Sequence, residues 1–281
     1  MTSAYAHTLG SGVQEAAGWH PDPLIAVPIA LIALLYAIGS WRLRRRGQSG
    51  RILEDVLFWL GLIALGFALL SPVHELGAQI FTVHMIEHEI LMVIAAPLLV
   101  AARPAATLLW GMPVSWRRPL AQGALGRWAR EVWFASTEIW SATIFHALVL
   151  WVWHAPVLFR AVLAAEGPHI LQHASFFFSA VLFWAAVMRQ DQRPAAQGKA
   201  VFALFLTSLQ AAVLGALLTL SPTLWYPFAP DPFPICGLTR GEDQSLAGLI
   251  MWIPACSVYV IAALVIMAQW LSRLDRQEAR V

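Results

Sequence analysis

Seven apolar segments, each close to the length needed to cross a bilayer, constrain the fold of this chain more than any other feature. A helix needs about 20 apolar residues to span ~30 Å of hydrocarbon. Only 12% of the 281 residues are charged and 59% are hydrophobic, whereas a soluble domain is about 25% charged. The predicted transmembrane helices cover roughly 24–41, 52–71, 80–101, 138–157, 170–188, 200–220 and 246–270.

The distribution of positive charge predicts how these helices are oriented. Of the 18 Lys and Arg residues, 16 lie in alternate connections or after the last segment, and only Arg160 and Arg240 lie on the opposite side. Lys and Arg concentrate in cytoplasmic loops, so we expect the N-terminus outside and the C-terminus in the cytoplasm. The sequence therefore predicts a single all-α integral membrane domain over 1–281. It consists of an outside tail at 1–23, a bundle of seven transmembrane helices at 24–270 and a cytoplasmic tail at 271–281.

Histidines collect on the outer side of the predicted bundle. His84 and His88 are four residues apart in the third segment, so their side chains share one helical face. Met85 and Glu87 flank this stripe, and Met92 extends it by four more residues. Ionisable side chains are costly inside a membrane, and they mark functional sites there.

Two further segments bring histidines to the same predicted depth. His154 ends the fourth segment, and His169 and His173, again four apart, begin the fifth. Because the connection between these segments is short, we expect them to be antiparallel neighbours. In the seventh segment, Met251 lies at a depth similar to His88, and Asp243 is predicted to cap the start of the helix.

Ligand chemistry favours copper at this cluster. Imidazole combined with thioether, without paired thiolates, suits copper, whereas zinc usually takes cysteine or carboxylate ligands in a closed set. The predicted main ligands are His84, His88, His154 and His173, and the further ligands are His169, Met85, Met92 and Met251. Glu87 and Asp243 are predicted to orient the imidazoles, as carboxylates commonly do around metal-bound histidine.

Plainer interpretations of these residues stay open. An intramembrane histidine often bonds only within the bundle, and an interfacial histidine often binds nothing. His146, ~12 Å deeper than His154, is predicted to be such a buried, hydrogen-bonded residue. His7, His20 and His74 could extend a metal-collecting outer surface, but isolated surface histidines are common, and all three lie outside the predicted ligand set.

Three ordered motifs between 22 and 270 resemble those of the seven-helix cytochrome c oxidase assembly factor family, the CtaG-like proteins. The matching residues are His84, Met85, His88 and Pro97; Trp151, His154, Pro156, His169 and His173; and Asp243, Gln244, Gly248, Met251 and Trp252. The resemblance implies a multi-pass protein of the bacterial inner membrane that helps to mature haem–copper oxidase, plausibly by handling copper, and is not an enzyme. It implies partners among oxidase subunits or other copper-handling assembly proteins, in the lipid bilayer and without nucleic acid.

Other functions fit parts of the same pattern. Paired intramembrane histidines also ligate haem, so a haem- or quinone-linked electron carrier is one alternative. A copper transporter is another, although the internal repeat common in transporters is not visible. A scaffold that binds no metal is the third.

Overall fold

The computed structural model describes residues 22–47, 51–189, 194–226 and 237–278, and all of its regular structure is helical. The predicted all-α class is therefore confirmed for these residues. Residues 1–21 of the predicted outside tail and 279–281 of the predicted cytoplasmic tail lie outside the described residues. The α-helices are α1 (Pro23–Arg45), α2 (Ile52–Leu70), α3 (Pro72–Gly77), α4 (Phe81–Glu89), α5 (Ala96–Ala101), α6 (Ala105–Gly111), α7 (Val114–Gln122), α8 (Ala124–Ser136), α9 (Ile139–Trp153), α10 (Pro156–Ala164), α11 (Glu166–Met188), α12 (Pro194–Leu220), α13 (Arg240–Ile250) and α14 (Cys256–Glu278). Two π-helical segments, Ile90–Ala95 and Met251–Ala255, join α4 to α5 and α13 to α14.

Among the described residues, six helices or helix runs are long and apolar enough to cross a membrane, and the count rises to seven if one bent pair forms a single span. The bent pair is α8 and α9, which meet at 74°. The predicted fourth span, 138–157, is shorter than expected, because α9 has 15 residues and so is only ~22 Å long. Glu138 starts this helix by accepting hydrogen bonds from the backbone N–H groups of Trp140 and Ser141, and Pro156 follows its end.

The ends of the other predicted segments also differ from the structure. The connection predicted at 158–168 contains a helix of its own, α10, and α11 begins at Glu166 rather than at 170. The last helix continues to Glu278, so most of the predicted cytoplasmic tail is helical. These differences reflect the weak signal that hydropathy gives for helix ends.

The two spans that carry the histidine pairs are the most enclosed in the bundle. In the most apolar stretch of Phe81–Ala101 and of Glu166–Met188, 56% of the residues are buried, against 11% in Pro23–Arg45. The outer helices instead expose large apolar side chains such as Leu31 and Ile63, as expected for surfaces that face lipid. The fold thus places the histidine-bearing faces inside the protein.

The π-helical segment after α4 follows from Pro97. A proline has no N–H to donate, and its ring crowds the carbonyl of the preceding turn, so i→i+5 bonding replaces regular α-helix ahead of it. The Met92 carbonyl, five residues before Pro97, accepts a 2.9 Å hydrogen bond from the Trp184 indole N–H of α11. This bond joins the two most enclosed spans close to the histidines.

Asp243 is not the cap that the sequence predicted. Thr239 begins α13 and forms a capping box with Glu242. The Asp243 carboxylate lies one residue further on and accepts hydrogen bonds from the backbone N–H groups of Phe81 (2.8 Å) and Thr82 (2.9 Å). It therefore caps α4, because the start of α4 and the first turn of α13 lie side by side.

Candidate metal centre

Helix α4 presents His84 and His88 on one face, as their spacing predicted. Their ring centroids are 4.3 Å apart in an edge-to-face arrangement, and each residue is only 1% exposed. The stripe does not simply continue to Met92, because π-helical winding begins at Ile90 and shifts the later side chains around the axis.

Helix α11 brings a second pair against the first. The rings of His169 and His173 are 4.5 Å apart, and the His173 ring lies 4.9 Å from that of His88 and 5.7 Å from that of His84. One ligand atom from each of His84, His88 and His173 lies within 4.8 Å of the others. These three residues, called here the buried triad, have the geometry to share one metal ion.

A second group adjoins the buried triad. His74, on the short helix α3, stacks on His169 with ring centroids 5.1 Å apart. One ligand atom from each of His74, His169 and His173 again lies within 4.8 Å of the others. This group is called the rim triad, because His74 and His169 are partly exposed whereas all three members of the buried triad are buried.

The structure brings His74, which was left outside the predicted ligand set, into contact with the cluster. It lies ten residues before His84, and α3 is short enough to fold back beside α4. The N-cap signal of Ser71 followed by Pro72 is the one sequence feature that could have indicated this turn. The sequence placed His74 on the same predicted side of the membrane as the other histidines of the cluster, but it did not predict the contact with His169.

Glu87 lies between the two triads. Its Oε1 atom is 2.5 Å from Nδ1 of His74 and 3.5 Å from Nε2 of His173, and its side chain is fully buried. The hydrogen bond with Glu87 raises the pKa of His74, although burial opposes this shift. The carboxylate thus contacts two of the imidazoles, and its role in orienting metal ligands stays a prediction.

Asp243 acts on the cluster in a different way. Among the described residues, the hydrogen bonds of its carboxylate go to Phe81 and Thr82 rather than to an imidazole. It therefore positions His84 and His88 by fixing the start of the helix that carries them.

His154 is buried near the triads but belongs to neither of them. Its Nδ1 lies 2.6 Å from the Leu150 carbonyl oxygen, to which it can only donate, so Nε2 carries the lone pair. The Phe176 ring contacts both His88 (4.6 Å) and His154 (6.0 Å) between ring centroids. A metal role for His154 remains a prediction.

The three methionines named from the sequence are all buried in the main apolar core. Met85 and Met251 are each 2% exposed and Met92 is 3% exposed. Their role as thioether ligands stays a prediction. His146, by contrast, is fully buried with Nδ1 2.9 Å from the Ser179 hydroxyl, which confirms its predicted structural position.

The buried triad is chemically unusual for a protein interior. Buried polar atoms are nearly always hydrogen-bonded, and exceptions require an explanation such as an ion. Within the described part of the chain, neither ring nitrogen of His88 has a hydrogen-bond partner. Neutral imidazoles with available lone pairs are good ligands for copper, zinc or iron, so the arrangement fits a metal ion.

Comparison with known proteins identifies the family. The model of the cytochrome c oxidase caa3 assembly factor family matches residues 34–273. Uncharacterized proteins of Mycobacterium bovis and Mycobacterium tuberculosis are each 30% identical to the chain over 270 residues, which is 93% of this chain and 40% of the relative. An uncharacterized protein of Mycobacterium leprae is 25% identical over 276 residues, which is 94% of this chain and 40% of the relative.

The chain therefore spans about 40% of the length of the curated relatives it matches. No solved structure matches it. The family match covers every residue of the two triads and confirms the resemblance carried by the three motifs. The chain belongs to the cytochrome c oxidase caa3 assembly factor family.

Proposed function

We propose that this protein binds one copper ion at the buried triad and hands it to a haem–copper oxidase subunit during assembly. The observation that carries the proposal is the convergence of His84, His88 and His173, with ligand atoms within 4.8 Å of one another and all three residues buried. Leaving both ring nitrogens of His88 without a hydrogen-bond partner, within the described part of the chain, is costly in an apolar interior. A bound ion would offset that cost.

The ligand types favour copper over the other metals that histidine binds. The buried triad contains only imidazole, and buried thioethers are present in the same core. Soft thioethers favour Cu(I), and imidazole serves either oxidation state of copper. Structural zinc sites use four ligands and usually include cysteine.

The ring spacing favours a single small ion over haem. The three rings of the buried triad contact one another directly, with centroids 4.3–5.7 Å apart. Axial ligation of haem would require two imidazoles on opposite faces of a macrocycle lying between them. An optical spectrum of the purified protein tests this alternative, and a Soret band that is lost in a His88→Ala variant would favour haem.

Transfer of the ion would proceed by ligand exchange in the membrane and requires no catalysis. The positive-inside asymmetry of the sequence supports a site on the periplasmic side of a bacterial inner membrane. Copper entering there would reach an oxidase subunit embedded in the same bilayer. His154, His169, Met85, Met92 and Met251 are the further ligands that could take part in this exchange.

Anaerobic titration with Cu(I) against a competing chelator tests the proposal directly. The full chain in nanodiscs is expected to bind one Cu(I) ion tightly per protein molecule. A His84→Ala/His88→Ala variant is expected to lose this tight binding. Complementation of a deletion strain provides the functional readout, namely oxidase activity normalised to the amount of variant protein in the membrane.

His146→Ala is the matched control, because His146 is also buried but lies outside both triads. The His146→Ala variant should still bind one Cu(I) ion tightly. If the double variant is folded and its affinity for Cu(I) is unchanged, the buried triad is not the copper site. Retained oxidase activity in that variant would separate copper binding from assembly.

A further inference from the structure

One histidine belongs to both triads. His173 contributes a ligand atom to the group with His84 and His88 and to the group with His74 and His169. Its ring centroid is 4.9 Å from that of His88 and 5.6 Å from that of His74. A neutral imidazole normally gives one lone pair to one metal ion, so His173 can serve only one of the two positions at a time.

The two positions differ in their access to the surroundings. The His74 side chain is 29% exposed, whereas His84 and His88 are each 1% exposed. His74 also comes from α3, a short helix between two spans, whereas His84 and His88 are enclosed within the bundle. An ion that reaches the buried triad from this side passes His74 and His169 first.

We propose that the two triads are successive positions for the same ion, which enters at the rim triad and moves to the buried triad while His173 remains bound. This inference rests on the proposed function and adds a defined route for loading and release. It assigns His74, which lies outside the ligand set predicted from the sequence, to the entry position.

The move requires no redox partner. Each step breaks one bond from the metal to a rim nitrogen and forms one bond to a nitrogen of His84 or His88. The oxidation state of the ion does not change. Glu87, 2.5 Å from Nδ1 of His74 and 3.5 Å from Nε2 of His173, holds these two imidazoles by its carboxylate and receives His74 again after the ion has left.

A serial route through the rim triad has an effect on the rates of ion binding and release that a purely structural role of His74 would not produce. If the rim triad is an intermediate on the path, weakening it raises the same barrier in both directions. The association and dissociation rates then fall by the same factor, and the equilibrium Kd is unchanged. Removing a ligand of the buried triad instead raises Kd, mainly through faster dissociation.

Stopped-flow mixing of the full chain in nanodiscs with a Cu(I)–chelator complex measures loading, and excess chelator measures release. For His74→Gln and His169→Gln we expect both rates to fall by about tenfold, the scale on which outer partners act on metal sites, with Kd unchanged. His173→Gln should raise Kd as well. Glu166→Gln, an exposed residue at the start of the same helix as His169, should change neither rate.

The outcomes separate this inference from the proposed function. Unchanged rates in both rim variants would overturn the serial route but leave copper binding at the buried triad intact. A higher Kd with faster release in His74→Gln would also overturn it, because His74 would then be a ligand of the final site. Absence of Cu(I) binding by the unaltered protein would overturn the proposed function itself.

Discussion

Thr82 donates two hydrogen bonds to the Asp243 carboxylate, from its backbone N–H at 2.9 Å and from its hydroxyl at 2.6 Å. The two residues are 161 positions apart in the chain. The contact fixes the first turn of α4, which carries His84 and His88, against α13. The geometry of the buried triad therefore depends on a carboxylate that does not face it.

Replacement of Asp243 by Ala is expected to destabilise the protein by about 1–2 kcal/mol, because loss of an N-terminal helix cap costs this amount. Asp243→Asn keeps one acceptor oxygen and should cost less. Both values come from chemical unfolding in detergent. Glu242→Gln, which keeps the local capping box of α13, is the control, and equal stability of Asp243→Ala and this control would contradict the assigned role.

Replacement of Glu87 by Gln is expected to weaken Cu(I) binding by about 10–100-fold, the usual effect of losing a carboxylate that orients a metal-bound histidine. The amide cannot form the charged contact with His74 and His173. Glu89→Gln is a matched control, because Glu89 is also buried on α4 but its side chain forms no hydrogen bond with either triad in the described part of the chain. A comparable loss of Cu(I) affinity in Glu89→Gln would show that loss of any buried carboxylate on α4 weakens binding, and it would contradict a specific role of Glu87.

Removal of His154 is expected to weaken Cu(I) binding less than removal of His88. His154 lies outside both triads and already donates from Nδ1 to the Leu150 carbonyl. Competition titrations of His154→Ala and His88→Ala measure the difference. Equal losses would indicate that His154 is a ligand of the same ion, as predicted from the sequence.

The stability of the metal-free protein should depend on the protonation of His74. Its pKa is raised by Glu87, above the ordinary value of about 6.5. The charged pair of His74 and Glu87 therefore stabilises the folded protein fully below that ordinary value. This stabilisation is lost as the pH rises through the raised pKa of His74. The unfolding midpoint in the presence of a chelator should therefore fall as the pH rises above about 6.5 and through the raised pKa of His74.

His74→Gln should flatten this pH profile, because the titrating imidazole is gone, whereas Glu166→Gln should keep it. Thermal unfolding at matched ionic strength provides the measurement. An identical slope in His74→Gln would show that another group causes the pH dependence.

Substitution of Gly248 tests the close crossing of α13 and α12. A Cβ atom there would lie 2.6 Å from the Gly215 carbonyl oxygen and 2.7 Å from Thr219 N, so Gly248→Ala should destabilise by about 1–3 kcal/mol through overpacking. Gly241 is on the same helix and has nothing within 4 Å of an added Cβ. Gly241→Ala should therefore be neutral or stabilising, and similar effects of both changes would argue against this crossing.

Much of the site could be predicted from local spacing. The i, i+4 pairs at His84/His88 and His169/His173 share faces because the helical repeat requires it, and the contact of α9 with α11 follows from their short connection. The helix ends and the 74° bend between α8 and α9 could not be predicted, because hydropathy does not register caps and turns.

The amino-acid sequence by itself determined the helical class, the apolar spans and the residue types able to bind a metal, because these depend on composition and on a fixed helical period. Only the tertiary structure decided which of these residues meet. Packing of α3 against α4 brings His74 to His169, the ring of Phe176 lies between His88 and His154, and Asp243 caps a helix far away in the chain. Such contacts depend on how distant helices pack, and no local pattern of residues encodes that.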